Sequence, residues 1–96
     1  MNPIIVPANA RFPLGSIYIT AHADKTLSRD DVAECIIKHA IGVWGDLSQA
    51  DKDANDEALT TGGRLLSAYY DREGIKFWII TEADRSATTV LLPEDY

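Results

Sequence analysis

The final third of the chain, Arg64 to Tyr96, constrains the fold more than any other stretch. In RLLSAYYDREGIKFWIITEADRSATTVLLPEDY the aromatic and β-branched residues fall into three short runs separated by turn-forming residues. Such runs predict three sequential antiparallel strands. Arg64–Tyr70 leads through DREGI, where Gly74 can take a positive φ, into Lys76–Thr81. KFWIIT is apolar on both faces and therefore predicts a central strand. EADRS then leads to Ala87–Leu92, which Pro93 ends.

The preceding residues supply one more strand and two helices. Leu14 to Ala23 alternates, with Ile17, Ile19, Ala21 and Ala23 on one side and Ser16, Tyr18, Thr20 and His22 on the other, which predicts an outer strand. Asp24 to Thr26 reads as a turn. Ser28 followed by Asp31 matches a helix N-terminal capping pattern, and Val32, Cys35, Ile36, His39 and Ala40 recur at helical spacing. A helix over Arg29–Ile41 follows, ending near Gly42, with Trp44 beyond it as a plug between helix and sheet. Ser48 and Asp51 repeat the capping pattern, and Ala50, Ala54 and Ala58 draw a narrow apolar line along a helix over Gln49–Thr60. Gly62 and Gly63 stop that helix. Pro3, Pro7 and Pro13 mark Met1–Pro13 as an extended arm, with Ile4 to Val6 against the domain edge.

The resulting order, β-α-α-β-β-β, predicts an α+β fold: an antiparallel sheet of about four strands with two helices packed on one face. Ninety-six residues make one domain, and 46% hydrophobic with 25% charged residues is an ordinary globular composition. The expected core includes Ile17, Ile19, Val32, Ile36, Trp44, Leu66, Trp78, Ile80, Val90 and Leu91. A single cysteine, Cys35, cannot form an internal disulfide, and no run has signal-peptide or membrane-spanning character. A soluble cytoplasmic protein is expected. The net charge of -6 disfavours nucleic acid and anionic membranes and favours a protein partner with a basic surface.

The densest polar cluster is Thr81, Glu82, Asp84, Arg85, Ser86, Thr88 and Thr89. One reading makes it an anion site, with Arg85 and the hydroxyls as donors, Glu82 as acid or base, and Arg64 as a second cation. The other makes it a self-capped turn, with Asp84 and Ser86 bonding local backbone and Arg85 paired to Glu82 or Asp84. Arg64 could equally neutralise the second helix, whose face carries Asp51, Asp53, Asp56 and Glu57. That face is either merely solvated or a docking surface for a basic partner. His39 and Cys35 share a helix side, yet no further ligands stand at metal-site spacing, so His39 reads as a core or interface residue and no metal or cofactor is expected. No nucleophile, P-loop or dinucleotide motif is present.

WGDL, then DK, N and AL, then GGRLLSAY, and finally WIITEADRSATTVLLPEDY resemble a family of small uncharacterised bacterial proteins often labelled plasmid-related. The resemblance covers Leu14 to Tyr96 and is strongest from Trp44 onward. It implies carriage on plasmids or integrated mobile elements and brings no catalytic residues. In layout only, RLLSAY with WIITEADRSATTVL is also similar to the last strands of barnase-like ribonucleases. On that comparison Arg64 matches a strand arginine, and Arg85 stands where that family has its general-acid histidine; a guanidinium can stabilise charge but cannot readily shuttle a proton. The leading expectation is a non-enzymatic interaction factor binding through Asp53, Asp56 and Glu57 or through Asp84, Arg85 and Ser86. The alternative is a nucleic-acid-processing or phosphate-binding protein, degenerate in catalysis, using Arg64, Glu82, Arg85, Thr88 and Thr89.

Overall fold

The computed structural model describes residues 7–96, so the expected contact of Ile4 to Val6 lies outside the described residues. The elements are β1 (Ser16–Ile19), α1 (Ala21–Thr26), α2 (Arg29–Ala40), α3 (Gln49–Thr61), β2 (Leu65–Tyr70), β3 (Lys76–Thr81) and β4 (Ala87–Leu91), followed by a 3-10 turn at Pro93–Asp95. The fold is α+β, with four strands in the order β1-β4-β3-β2. β2 pairs with β3 and β3 with β4 in antiparallel fashion, whereas β1 runs parallel to β4, so the sheet is mixed rather than purely antiparallel. The chain path explains this: three helices intervene in sequence between β1 and the three hairpin-linked strands, and such a crossover returns a strand in the same direction. No described helix is long and apolar enough to cross a membrane.

The predicted strand over Leu14–Ala23 is cut short because Thr20 ends it. Its hydroxyl accepts from Ala23 N at 3.1 Å and caps α1, a third helix in place of the expected turn. Ser28 precedes α2 without a side-chain cap; Asp31 instead turns outward and binds the Arg72 guanidinium and amide at 2.8–3.0 Å, tying α2 to the β2–β3 hairpin. That bond, more than any other, holds the Asp31 carboxyl below its ordinary range. Ser48 does cap α3, accepting from Asp51 N at 3.1 Å, and Gly62 closes it at φ 85°.

The strand pleat places Leu65, Ser67 and Tyr69 beside Thr81, Ile79 and Phe77, and Ile79 and Thr81 beside Val90 and Thr88. His39 of α2 hydrogen-bonds Ser67 and Thr81, so this is the face α2 covers. Phe12, Leu14 and Leu27 join the same core, and Trp44 lies 6.2 Å from Phe12 and 5.8 Å from His39 between ring centroids. Val32, Ile36, Trp44, Ile80, Val90 and Leu91 are buried as expected. Ile19, Leu66 and Trp78 are only half-buried, and Ile17 is 36% exposed. Leu66, Trp78 and Ile80 belong to the opposite face, where Tyr96 folds back to 5.8 Å from Trp78. Phe77 and Ile79 take the α2-facing positions instead; each fully buried side chain of that size contributes on the order of 1.5–3 kcal/mol.

The two sheet edges differ. Along β2, Asn55 of α3 donates to Leu66 O at 2.7 Å and accepts from Leu66 N at 3.2 Å. The next outward residue, Ala68, donates to Trp44 O and accepts from Asp46 N. Gly45 makes this approach possible: it sits at φ 82°, and a Cβ there would lie 1.9 Å from Ala68 O. Along β1 no described residue pairs with the outer side.

Candidate functional site

The segment Thr81 to Thr89 is a tight turn flanked by strand ends. Glu82 N donates to Ala87 O at 3.0 Å and Arg85 N to Glu82 O at 2.9 Å, while Asp84 accepts from Ser86 N at 2.9 Å. Bonding to Ser86 depresses the Asp84 carboxyl. Arg85 sits at φ 61°, and its side chain reaches back over the α2-facing layer. One guanidinium nitrogen donates to Gly63 O at 2.6 Å and Glu82 O at 3.2 Å, the other to Ala58 O at 3.0 Å, and the group lies 5.8 Å from the Phe12 ring centroid. Arg85 therefore adds a charged donor to Ala58 O, which also accepts the Gly62 amide that closes α3, and supplies a donor to Gly63 O just beyond the helix end. Its partners are backbone oxygens rather than the expected carboxylates of Glu82 or Asp84.

Arg64 points the other way. It donates to the Tyr96 hydroxyl and stands 3.6 Å from Glu82 Oε1, on the face where Tyr96 meets Trp78. The Tyr96 bond is the main reason its pKa rises. Thr88 shares the α2-facing side with Arg85, and Thr89 the opposite side with Ile80. The five residues of the phosphate reading are thus divided: Arg64, Glu82 and Thr89 on one face, Arg85 and Thr88 on the other. A shared two-arginine anion site is not formed, and Arg64 neutralises Glu82 rather than the second helix.

Beneath the turn runs a buried chain of polar groups. Thr88 Oγ1 donates to Leu14 O at 2.7 Å, Thr81 and Thr88 hydroxyls meet at 2.7 Å, His39 Nε2 lies 2.9 Å from Thr81 Oγ1, and His39 Nδ1 lies 2.5 Å from Ser67 Oγ. Each hydroxyl owns one proton, so the order of donation is determined. Thr88 spends its proton on Leu14, Thr81 then donates to Thr88, and His39 Nε2–H donates to Thr81. Burial favours the neutral imidazole, and in that form Nδ1 accepts from the Ser67 hydroxyl. Burial, with the nearby Arg85 charge as a lesser cause, pushes the His39 pKa down to about 3. His39 is accordingly a core residue, with both ring nitrogens engaged. Cys35, also buried, has its thiol pushed up to about 11 by desolvation. No metal-binding cluster occurs among the described residues. His22 is exposed and pairs with Asp95 at 2.9 Å.

On α3, Asp51, Asp53, Asp56 and Glu57 are exposed. Asp53 accepts from Gln49 at 2.9 Å and Asp56 from the Trp44 indole at 2.9 Å. The acidic face and the EADRS turn, separate candidates in the sequence, are bolted together by Arg85. A further feature lies at the opposite edge: an open groove of about 500 Å³ lined by Ile17, Ile19, Leu27, Val32, Ile36 and Val90, with Asp24, Arg29 and Asp30 among its polar residues. Sequence periodicity assigns Ile17 and Ile19 to the buried side of an outer strand, and that outer position was the available signal that their burial would be incomplete.

The chain matches no family model, no curated protein and no solved structure.

Proposed function

We propose that the chain is a small non-enzymatic protein-interaction factor presenting a preshaped carboxylate surface, built from α3 and the β3–β4 turn, to a basic patch of another protein. The Arg85 clamp carries this reading. By holding Ala58 O and Gly63 O, it fixes the end of α3 to the turn bearing Asp84 and Ser86, so Asp53, Asp56, Glu57 and Asp84 ride on one rigid body. None of these carboxylates has an ion-pair partner among the described residues. Surface already ordered loses less entropy on binding, and a single-sign patch accelerates encounter with an opposite charge. The likeness to the plasmid-related family supports a place on mobile genetic elements, with a partner encoded by the host or the element.

The test is capture from a bacterial extract with the wild-type chain and with a variant carrying Asp53→Asn, Asp56→Asn, Glu57→Gln and Asp84→Asn. These amides keep an acceptor for the Trp44 indole and for Ser86 N while removing the charge. The expected partner is retained at low salt, released at high salt and lost from the variant; once purified, it binds the variant at least tenfold more weakly, about 1.4 kcal/mol. Retention of the same proteins by the neutralised variant refutes the proposal.

A further inference from the structure

We infer that β1 is a self-association edge, at which a second copy of this chain pairs antiparallel about a two-fold axis and joins two four-stranded sheets into one.

The backbone supplies the first reason. Ser16 N and Thr20 N donate inward to Ser86 O and Val90 O, each at 3.0 Å. The alternation of a strand then turns the amide and carbonyl groups of Ile17 and Ile19 outward, where no described residue pairs with them. SIYI contains no charge and no proline, so among the described residues brevity is its one common edge protection.

The side chains supply the second. Ile17 is 36% exposed on the α2-facing side and Tyr18 is 57% exposed on the other, so an added strand meets apolar surface above and below. Ile37, also 37% exposed, stands one turn from Ala33 of the groove and extends this surface along α2. A two-fold axis through the β1 pair brings the same apolar set from each copy together.

Charge and closure single out a second copy over other occupants. The groove lining carries Asp24 and Asp30 against Arg29, an excess of one acid, whereas α3 carries Asp51, Asp53, Asp56 and Glu57 against Lys52, an excess of three. The acidic excess that would repel a like chain is thus concentrated at the other edge of the sheet. That edge is also sealed by Asn55 and the Trp44 to Asp46 segment. Pairing through β1 consumes the free edge of each copy, and assembly stops at a closed dimer instead of growing into a fibre. This surface is separate from the carboxylate surface, and neither proposal depends on the other.

Sedimentation equilibrium of the full chain tests the inference, together with Ile17→Lys and Ile17→Pro. Proline at 17 removes an outward N–H, which an edge strand tolerates, together with the Ile17 side chain. The wild type is expected to approach twice the monomer mass with rising concentration, and both variants to dissociate at least tenfold more readily with unchanged circular dichroism. In parallel, hydrogen exchange at the Ile17 and Ile19 amides should slow as wild-type concentration rises, a readout that stands even if a variant fails to fold. A wild type that stays monomeric overturns the inference, whether its edge amides exchange freely or are protected at every concentration by residues 1–6 or by an added peptide. A dimer indifferent to both substitutions overturns it too.

Discussion

Acidification below neutrality should destabilise this protein, and His39 is the reason. In the unfolded chain its imidazole titrates near 6.5, about the ordinary value. In the folded state it is buried, donates from Nε2 and is held down to about 3. Between those values the unfolded state binds a proton that the folded state refuses, so stability falls as pH falls through this window and is fully present above it. The limiting slope is about 1.4 kcal/mol per pH unit, and integration from pH 7 to pH 5 gives a loss of about 2 kcal/mol. Asp31, Asp84 and Asp95 all titrate below the ordinary carboxylate range, so their contributions are lost only under more acidic conditions. Urea unfolding at pH 7, 6 and 5 measures the effect, with His39→Gln to remove the titration and His22→Gln to control for the other histidine. The reasoning is refuted if wild-type stability is flat over this range, or if His39→Gln retains the full 2 kcal/mol loss that its buried imidazole is held to cause.

Arg85→Ala should cost roughly 2–4 kcal/mol in urea unfolding, because it removes charged donors from the carbonyls of Ala58, Gly63 and Glu82. Arg85→Lys should recover only part of this, since an ammonium cannot span the fork. Asn55→Ala should cost about 1–3 kcal/mol and speed hydrogen exchange at Leu66, whose N–H and C=O it leaves without their partner. Gly45→Ala should lower the melting temperature more than an ordinary surface change, by roughly 2–4 kcal/mol of stability, since its Cβ would displace Ala68 O from the edge-sealing segment. Melting as high as the wild type would show that Trp44 to Asp46 does not depend on that approach.

Local chemistry made most of this fold legible. The three final strands, α3 with its Ser48 cap and Gly62 stop, and the central place of β3 follow from residue types within a few positions of one another. What local pattern leaves open is phase. KFWIIT is apolar on both sides, so periodicity alone cannot decide whether Trp78 and Ile80 or Phe77 and Ile79 face the helix. The decision comes from hydroxyls: Ser67, Thr81 and Thr88 must lie where His39 and Leu14 O can satisfy them, and their burial carries Phe77 and Ile79 inward. Arg85 obeys the same logic. Its turn is recognisable from EADRS, but its partners are carbonyls 22 and 27 residues earlier, set by where α3 ends. The sheet edges are the extreme case. Nothing within SIYI distinguishes a sealed edge from an open one; Asn55 at Leu66 and the Trp44 to Asp46 segment at Ala68 close β2, while β1 is the one edge unpaired among the described residues.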